Sequence, residues 1–416
     1  MQFSLLQRAT LVCLCFATTL ASADSLSLER AVIRALEHNP ELAVFAVELR
    51  AQEGRVTQAA ARPAPEIGVL VENALGSGAR SDFEAAETTL SVGVILERGA
   101  RERRQAAALA ESNMLNADLR VRRADVAAET ARRFVAVLER QQLVMQVRHA
   151  RELTAQTLAA VQARVRAAKV PEAEEARAQA QLARAQLDEE HAEHQLLTAR
   201  RALVALWGES EASFAEATGA LNELPVLRDF DALRTEIQNN PEFERFASES
   251  RVREAELRVA ELRRTPPWHL SAGVRRFEDG NDHAFVIGLT VPLPSRDYVR
   301  GAVDEAHARV DAVDAKRNAR RNELDAELYG LYQELKHAYA EVTTLRDTVA
   351  PKMERAAEES RYAYERGRYS YLEWVAAQRE SLDARGALTI AYADAHRYRI
   401  EIERLTGISL AALPSR

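Results

Sequence analysis

Four short runs in this chain alternate apolar and polar residues with a period of two. In residues 66–73, Ile67, Val69 and Val71 fall on one side and Glu66, Gly68 and Glu72 on the other. In residues 88–96, Leu90, Val92, Val94 and Leu96 alternate with Thr89, Ser91 and Gly93. Residues 268–277 form the third run. Residues 285–291 form the fourth, with Phe285, Ile287, Leu289 and Val291 on one side. A strand points successive side chains to opposite faces, so each run predicts a strand with one apolar face. The first pair is joined by a Gly/Ser/Asp loop at 74–82 and the second by the acidic loop 278–282.

Helices are predicted over most of the rest. Leu28, Val32, Ile33 and Leu36 lie at helical spacing and predict a short amphipathic helix over 25–38. Asn39-Pro40 breaks it, and a second helix runs over 40–61 until Pro63 and Pro65 stop it. From residue 97 to about 168 there is no proline, and Gly99 is the one breaker. Some 70 residues at 1.5 Å each predict roughly 105 Å of helix. Pro171 marks a turn, and a return helix reaches about Trp207. Residues 208–229 read as a mixed linker with Gly219 and Pro225. The order then recurs: a short helix at 229–238, a second at 241–264, and two strands. A long helix over 298–364 follows, with interruptions expected at Gly330 and Pro351. The turn is at Gly367, and a last helix runs to about Leu405.

The recurrence is an internal repeat. A shift of 201 carries Asn39-Pro40-Glu41-Leu42 onto Asn240-Pro241-Glu242-Phe243 and Pro65 onto Pro266. A shift of 199 carries Ala168-Lys169-Val170-Pro171 onto Gly367-Arg368-Tyr369-Ser370 and Trp207-Gly208 onto Thr406-Gly407. The division expected is a leader at 1–23, a first repeat at 24–225 and a second at 226–416. In the first repeat the helix after Pro40 and the return helix together roughly match the one long helix, and two short helices stacked end to end beside a long one make a cylinder wall. Ala-rich faces permit that close packing. A duplicated unit of this shape is the plan of something extended and symmetric.

Composition narrows the compartment. Arg8, the apolar stretch 9–20 and Ala21-Ser22-Ala23 read as a secretory leader with its cleavage site. The apolar stretch is shorter than the roughly 20 residues a spanning helix needs, which weakens the alternative of an anchor. Cys13 and Cys15, the two cysteines of the chain, lie within the leader. The mature chain then has no disulfide or thiolate chemistry, and no lipidation is expected. Charged residues are 29% and dispersed, aromatics are 6%, and the net charge is −7. That pattern suits long solvated helices and argues against nucleic acid as a partner.

Four strands cannot close a barrel, for which about eight is the practical minimum. One solution packs the sheet on the chain's own helices as a small α+β core. The other pools strands from several chains, and three chains would give twelve. A secretory leader, no long apolar helix and alternating strands of this length favour a shared barrel in an outer membrane. The apolar set Leu90, Val92 and Val94 would then face lipid, and Thr89, Ser91 and Gly93 the lumen.

Residues 90–101, from Leu90-Ser91-Val92-Gly93-Val94 to Glu97-Arg98-Gly99-Ala100-Arg101, resemble the strand-to-helix junction of the TolC-type outer membrane efflux proteins. Ile287-Gly288-Leu289-Thr290-Val291-Pro292-Leu293-Pro294, followed by Arg300-Gly301, resembles the second junction, in the form found in the CzcC-like heavy-metal efflux branch. Residues 364–372, with Ala377-Gln378, resemble a hairpin tip of that family. The first tip departs, with Ala168 where Gly is usual and Pro171 where Ser is common. The resemblance implies a mainly α fold with a small β part. Three chains would form a twelve-stranded transmembrane barrel continued by an α-helical coiled-coil tunnel into the periplasm. It also implies a homotrimer that docks on a periplasmic adaptor protein and an inner-membrane pump, of the resistance-nodulation-division type for this branch.

Candidate chemistry is sparse. His191 and His194 stand at i, i+3 on a helix and could chelate a divalent metal, but Glu189 and Glu190 beside them mark a solvated face. No phosphate loop, nucleophile elbow or zinc-hydrolase motif is present, so no enzyme activity and no cofactor are expected. The 199-residue shift carries Glu174 onto Glu373. Six such carboxylates in a trimer would line a constriction and attract cations, or else form an ordinary charged helix surface. The tips Ala168, Lys169, Val170 and Pro171, and Arg366, Gly367, Arg368, Tyr369 and Ser370, are the candidate adaptor-docking elements. The expected function is a passive exit duct for heavy-metal cations. The alternatives are a duct for drug efflux or type I secretion, or a periplasmic coiled-coil scaffold.

Overall fold

The computed structural model describes residues 25–407. The leader 1–23, with its cleavage site and both cysteines, lies outside the described residues.

Each Asn-Pro break performs the same three tasks. Asn39 ends α1 (Leu28–His38) and caps α2 (Pro40–Ala60), its side-chain oxygen accepting from the backbone N–H groups of Glu41 and Leu42. Pro40 occupies a helix position whose N–H would have no partner. The Asn39 amide then donates to the Leu206 carbonyl at 2.8 Å. Asn240 caps α6 (Pro241–Ala260) in the same way and donates to the Leu405 carbonyl at 3.0 Å. Both asparagines are buried, so each pins the start of one helix to the far end of another.

The long helix α3 (Ala100–Arg166) has 67 residues, roughly 100 Å. Two shorter helices share its length. Gln52 of α2 donates to the Ala108 carbonyl at 2.9 Å. Farther along, Arg140 and Arg148 of α3 reach Gln195 and Glu193 of α4 (Glu172–Val204). The short α5 (Phe230–Glu236) precedes α6. In the second half α6 and α9 (Tyr371–Thr406) flank α7 (Arg296–Thr344) and α8 (Ala350–Glu365). Arg320–Glu242 and Arg385–Glu354 make equivalent cross-links there.

The expected interruptions at Gly330 and Pro351 are not breaks. Gly330 lies inside α7, and a π-type turn over Leu345–Val349 leads directly into α8. Such a turn absorbs the hydrogen bond that Pro351 cannot donate.

The sequence reading of 25–38 as all helix, with 208–229 as linker, needs correction. Ser25–Ser27 is a strand, β1, paired in parallel with β4 (Glu216–Thr218). Gln141 of α3 bonds the backbone of Ala217, accepting from its N–H at 2.9 Å and donating to its carbonyl at 3.0 Å. The pairing seats Leu26 and Ala217, both buried, in a core with Phe134, Trp207 and Phe214. A three-residue strand is too short to show a period, and its partner lies about 190 residues away.

Candidate functional site

The second sheet contains the four anticipated strands: β2 (Glu66–Glu72), β3 (Glu87–Leu96), β5 (Trp268–Phe277) and β6 (His283–Thr290). Their order is β2-β3-β5-β6, all antiparallel, and the β3–β5 pair joins the two halves of the chain. The last strand starts at His283, two residues before the expected start. The register aligns Val69, Leu90, Val274 and Phe285 in one row. Ile67, Val92, Ala272 and Ile287 form the next. These rows make one continuous apolar face that none of the described residues covers; Ile67, Phe285 and Ile287 are 77%, 90% and 79% exposed. An uncovered apolar face of this kind marks a surface meant for lipid or a partner. The alternative of a sheet packed on its own helices through that face is therefore excluded.

The middle of the opposite face is built of small residues. Gly68, Ser91 and Gly273 share one row with Val286, and Gly93, Ser271 and Gly288 another with Glu66. A Cβ on Gly273 would lie 2.9 Å from the Ser91 Cα, so the backbones approach too closely there for a side chain. Thr89, Ser91 and Gly93 do lie on this face, as the alternation requires. At one end Arg275 bridges three strands. It donates to the Thr89 hydroxyl at 2.9 Å and pairs with Glu87 at 2.7 Å and Glu72 at 2.6 Å.

The hairpin turns lie at the opposite ends of the long helices. In the first, the Lys169 N–H bonds the Arg164 carbonyl at 2.9 Å and the Ala168 N–H bonds Val165 at 2.8 Å. In the second, Arg368 bonds Ala363 and Gly367 bonds Tyr364, both at 2.9 Å. Both are Schellman-type ends, which need a left-handed residue, here Ala168 and Gly367. Lys169, Arg366 and Arg368 are exposed, and no carboxylate pairs with them among the described residues; Arg366 lies over the Tyr362 ring at 4.0 Å. Val170 is half-buried, while Pro171, Tyr369 and Ser370 are exposed.

The two tips are clasped through aromatic residues, of which Tyr364 and Tyr371 belong to the tip motif without a role of their own and Trp374 follows it. Tyr364, Tyr371 and Trp374 are buried with Val161 and Ala178, and Tyr364 stacks on Trp374 with ring centroids 4.9 Å apart. Arg164 donates to the Tyr364 carbonyl and lies 4.6 Å from the centroid of its ring. The Tyr364 hydroxyl donates to Glu174 at 3.0 Å. Burial first, and the adjacent Glu174 carboxylate second, push the Tyr364 phenol up to about 12. The available signal was an aromatic cluster beside a turn in an aromatic-poor chain.

Glu174 and Glu373 are thus not used alike. Glu373 closes a capping box, accepting from the Ser370 N–H at 2.7 Å while the Ser370 hydroxyl accepts from its own backbone. The Ser370 N–H and the Ser370 hydroxyl, both donating to the carboxylate, hold the Glu373 carboxyl below its usual range. His191 and His194 gain no further ligand. His191 lies 2.6 Å from the Gln195 amide, and no cluster of three metal-ligating side chains occurs among the described residues. No described helix is long and apolar enough to cross a membrane.

Long helical hairpins joined to a small antiparallel sheet with a bare apolar face define an outer membrane channel of the hairpin type. The chain belongs to the outer membrane efflux protein family, which matches residues 31–209 and 232–408. It is 30% identical over 386 residues to the cobalt-zinc-cadmium resistance protein CzcC of Cupriavidus metallidurans, covering 93% of this chain and 91% of that protein. A membrane protein of known structure from Pseudomonas aeruginosa superposes with a TM-score of 0.75 at 19% identity, covering 93% and 92% of the two chains. The structure of CusC gives 0.74 at 13% identity, covering 91% of each. At these identities the two structures speak for the fold. The resemblance read from the junctions and the second tip is borne out.

Proposed function

We propose that three copies of this chain form the outer membrane exit duct of a tripartite system exporting heavy-metal cations. The observation that carries the reading is the sheet: four strands, one bare apolar face, and unpaired edges at β2 and β6. In lipid each unpaired backbone group costs several kcal/mol, and joining β2 of one protomer to β6 of the next removes both edges. Twelve strands then close a barrel with Leu90, Val92 and Val94 towards lipid and the Gly/Ser rows towards the lumen. The two repeats, 24–225 and 226–416, supply alternating wall segments of a tunnel reaching into the periplasm. Six tips, 168–171 and 366–370 from each chain, meet the periplasmic adaptor, and an inner-membrane pump of the resistance-nodulation-division type supplies the energy. Glu174 and Glu373 lie beside those tips and add negative charge where cations would enter. Metal as cargo is supported by the relationship to CzcC and by the Pro292-Leu293-Pro294 junction.

Deletion of the gene tests the substrate. Loss of resistance to cobalt, zinc or cadmium, restored by the wild-type chain, is expected. Unchanged metal resistance with new sensitivity to organic toxicants, or with failed protein secretion, would replace the cargo. A folded monomer with no affinity for bilayers would remove the duct altogether and leave a periplasmic scaffold.

A further inference from the structure

Where the strands meet the helices, the charge balance reverses. Segments 62–66, 97–104, 261–268 and 292–300 hold nine arginines and five carboxylates, in a chain whose net charge is −7. Four of the five carboxylates are taken locally. Glu97 pairs with Arg104, Glu102 with Arg101, Glu261 with Arg103 and Asp297 with Arg300. Arg62, Arg98, Arg263, Arg264 and Arg296 have no carboxylate partner among the described residues, and all five are exposed. They sit at one level, the end of the sheet where β2 and β5 begin and β3 and β6 finish.

Two of these arginines lie over aromatic rings. Arg98 is 3.7 Å from the Trp268 ring centroid and Arg263 is 4.9 Å from that of Tyr298. Trp268 is paired with Leu96 in register and so stands on the apolar face, at its lower margin. Leu293, 92% exposed, lies in the adjoining segment. The order from sheet to helix is therefore apolar face, aromatic ring, unpaired guanidinium. That sequence of chemistries matches a lipid monolayer read from acyl chain through interface to phosphate.

We propose that this arginine and aromatic collar is a binding site for anionic glycerophospholipid headgroups of the periplasmic leaflet. The proposal rests on the barrel reading above. A guanidinium offers parallel N–H donors that fit two phosphate oxygens, and stacking on Trp268 or Tyr298 holds its plane while leaving that edge free. Lipid is favoured over an acidic protein because the guanidiniums continue directly from a face that needs acyl chains. Each repeat contributes, since the 201-residue shift carries Arg62 onto Arg263.

The test is native mass spectrometry of the full chain in mild detergent, with dioleoylphosphatidylglycerol titrated against dioleoylphosphatidylcholine. A basic residue near an anionic surface is worth about fivefold in affinity. The protein should therefore retain phosphatidylglycerol at least tenfold better than phosphatidylcholine. The Arg98→Gln/Arg263→Gln/Arg264→Gln/Arg296→Gln variant should lose that preference while keeping its oligomeric mass. Trp268→Leu, which keeps every charge, should lose part of it. Equal retention of both lipids by the wild type, or undiminished preference in the quadruple variant, overturns the proposal. So does displacement of the lipid by millimolar inorganic phosphate, which would mark a free-phosphate site, or by an acidic peptide in place of lipid. The oligomeric mass reports separately on the barrel: trimers without lipid preference refute the collar alone, whereas monomers throughout refute the underlying reading.

Discussion

At the first hairpin tip the left-handed residue is Ala168, with φ 54°, and the following helix starts from Pro171 with no side-chain cap. At the second it is Gly367, with φ 74°, and the helix starts from Ser370 with a complete capping box. The third residue of both helices is glutamate. Beside Ser370 the carboxylate of Glu373 turns back onto its own helix start. Beside Pro171 that is impossible, because proline offers neither a hydroxyl nor an N–H to complete the box. Glu174 instead receives the Tyr364 hydroxyl across the hairpins. One proline therefore redirects a carboxylate from a local cap to a link between the two halves of the chain. The two repeats thus share the turn and the glutamate but not the glutamate's partner.

The largest expected effect comes from removing that link. Tyr364 is 1% exposed, and Tyr364→Ala deletes its stacking on Trp374, its bond to Glu174 and the platform under Arg164. Truncating a buried aromatic costs about 3–5 kcal/mol. Urea unfolding followed by tryptophan fluorescence should show it, whereas Tyr369→Ala, at an exposed tip position, should fall within about 0.5 kcal/mol. Equal losses would mean the tips are not clasped through Tyr364.

Next comes Gly367→Val. A β-branched side chain at φ 74° is strained by about 1–3 kcal/mol. The exposed turn should distort while the distant sheet is spared. Metal export should fall sharply with the protein still in the outer membrane fraction. Normal export would show that this tip is not a docking element.

Ser370→Ala removes the box and should cost about 1 kcal/mol. Its pH dependence is signed. The Glu373 carboxyl is lowered by the Ser370 N–H and hydroxyl, so the stabilisation is present above the ordinary glutamate range and disappears as pH falls through the lowered value. The variant's deficit at neutral pH should therefore shrink in acid. A deficit independent of pH would assign the loss to the hydroxyl alone.

The smallest effect is a gain. Ala168→Gly relieves a left-handed alanine and should stabilise the first tip by about 0.5–1 kcal/mol, less the extra chain entropy of glycine. Amide exchange at Ala167 and Lys169 would report it locally. Faster exchange would mean the first turn is held by its neighbours and not by its own backbone.

The sheet was legible because period two is short-ranged: Leu90, Val92 and Val94 declare their common face without any knowledge of a partner strand. The long helices and both turns were legible from breakers, since Asn39-Pro40, Pro171 and Gly367 act through local backbone geometry. The β1–β4 pair was not, because three residues carry no period and the pairing exists only once distant segments meet. The continuity of the helix through Pro351 was hidden for a related reason. A proline forbids one hydrogen bond but does not say whether a wider turn will absorb the loss.

The sequence by itself determined the duplicated order of helices and strands, the apolar side of each strand, the membership of the efflux family and the positions of the tips. The order, the apolar sides and the tips follow from local periodicity, local breakers and the internal repeat, and the family from the resemblance of the two strand-to-helix junctions and the second tip to the TolC-type proteins. Only the tertiary structure decided that Glu174 and Glu373 do different work, that Tyr364 is the clasp, and that five arginines at the sheet margin have no carboxylate partner among the described residues. Partnership is a property of distance, and the chain brings Glu174 to Tyr364, Arg98 to Trp268 and Arg275 to Glu72 only by folding.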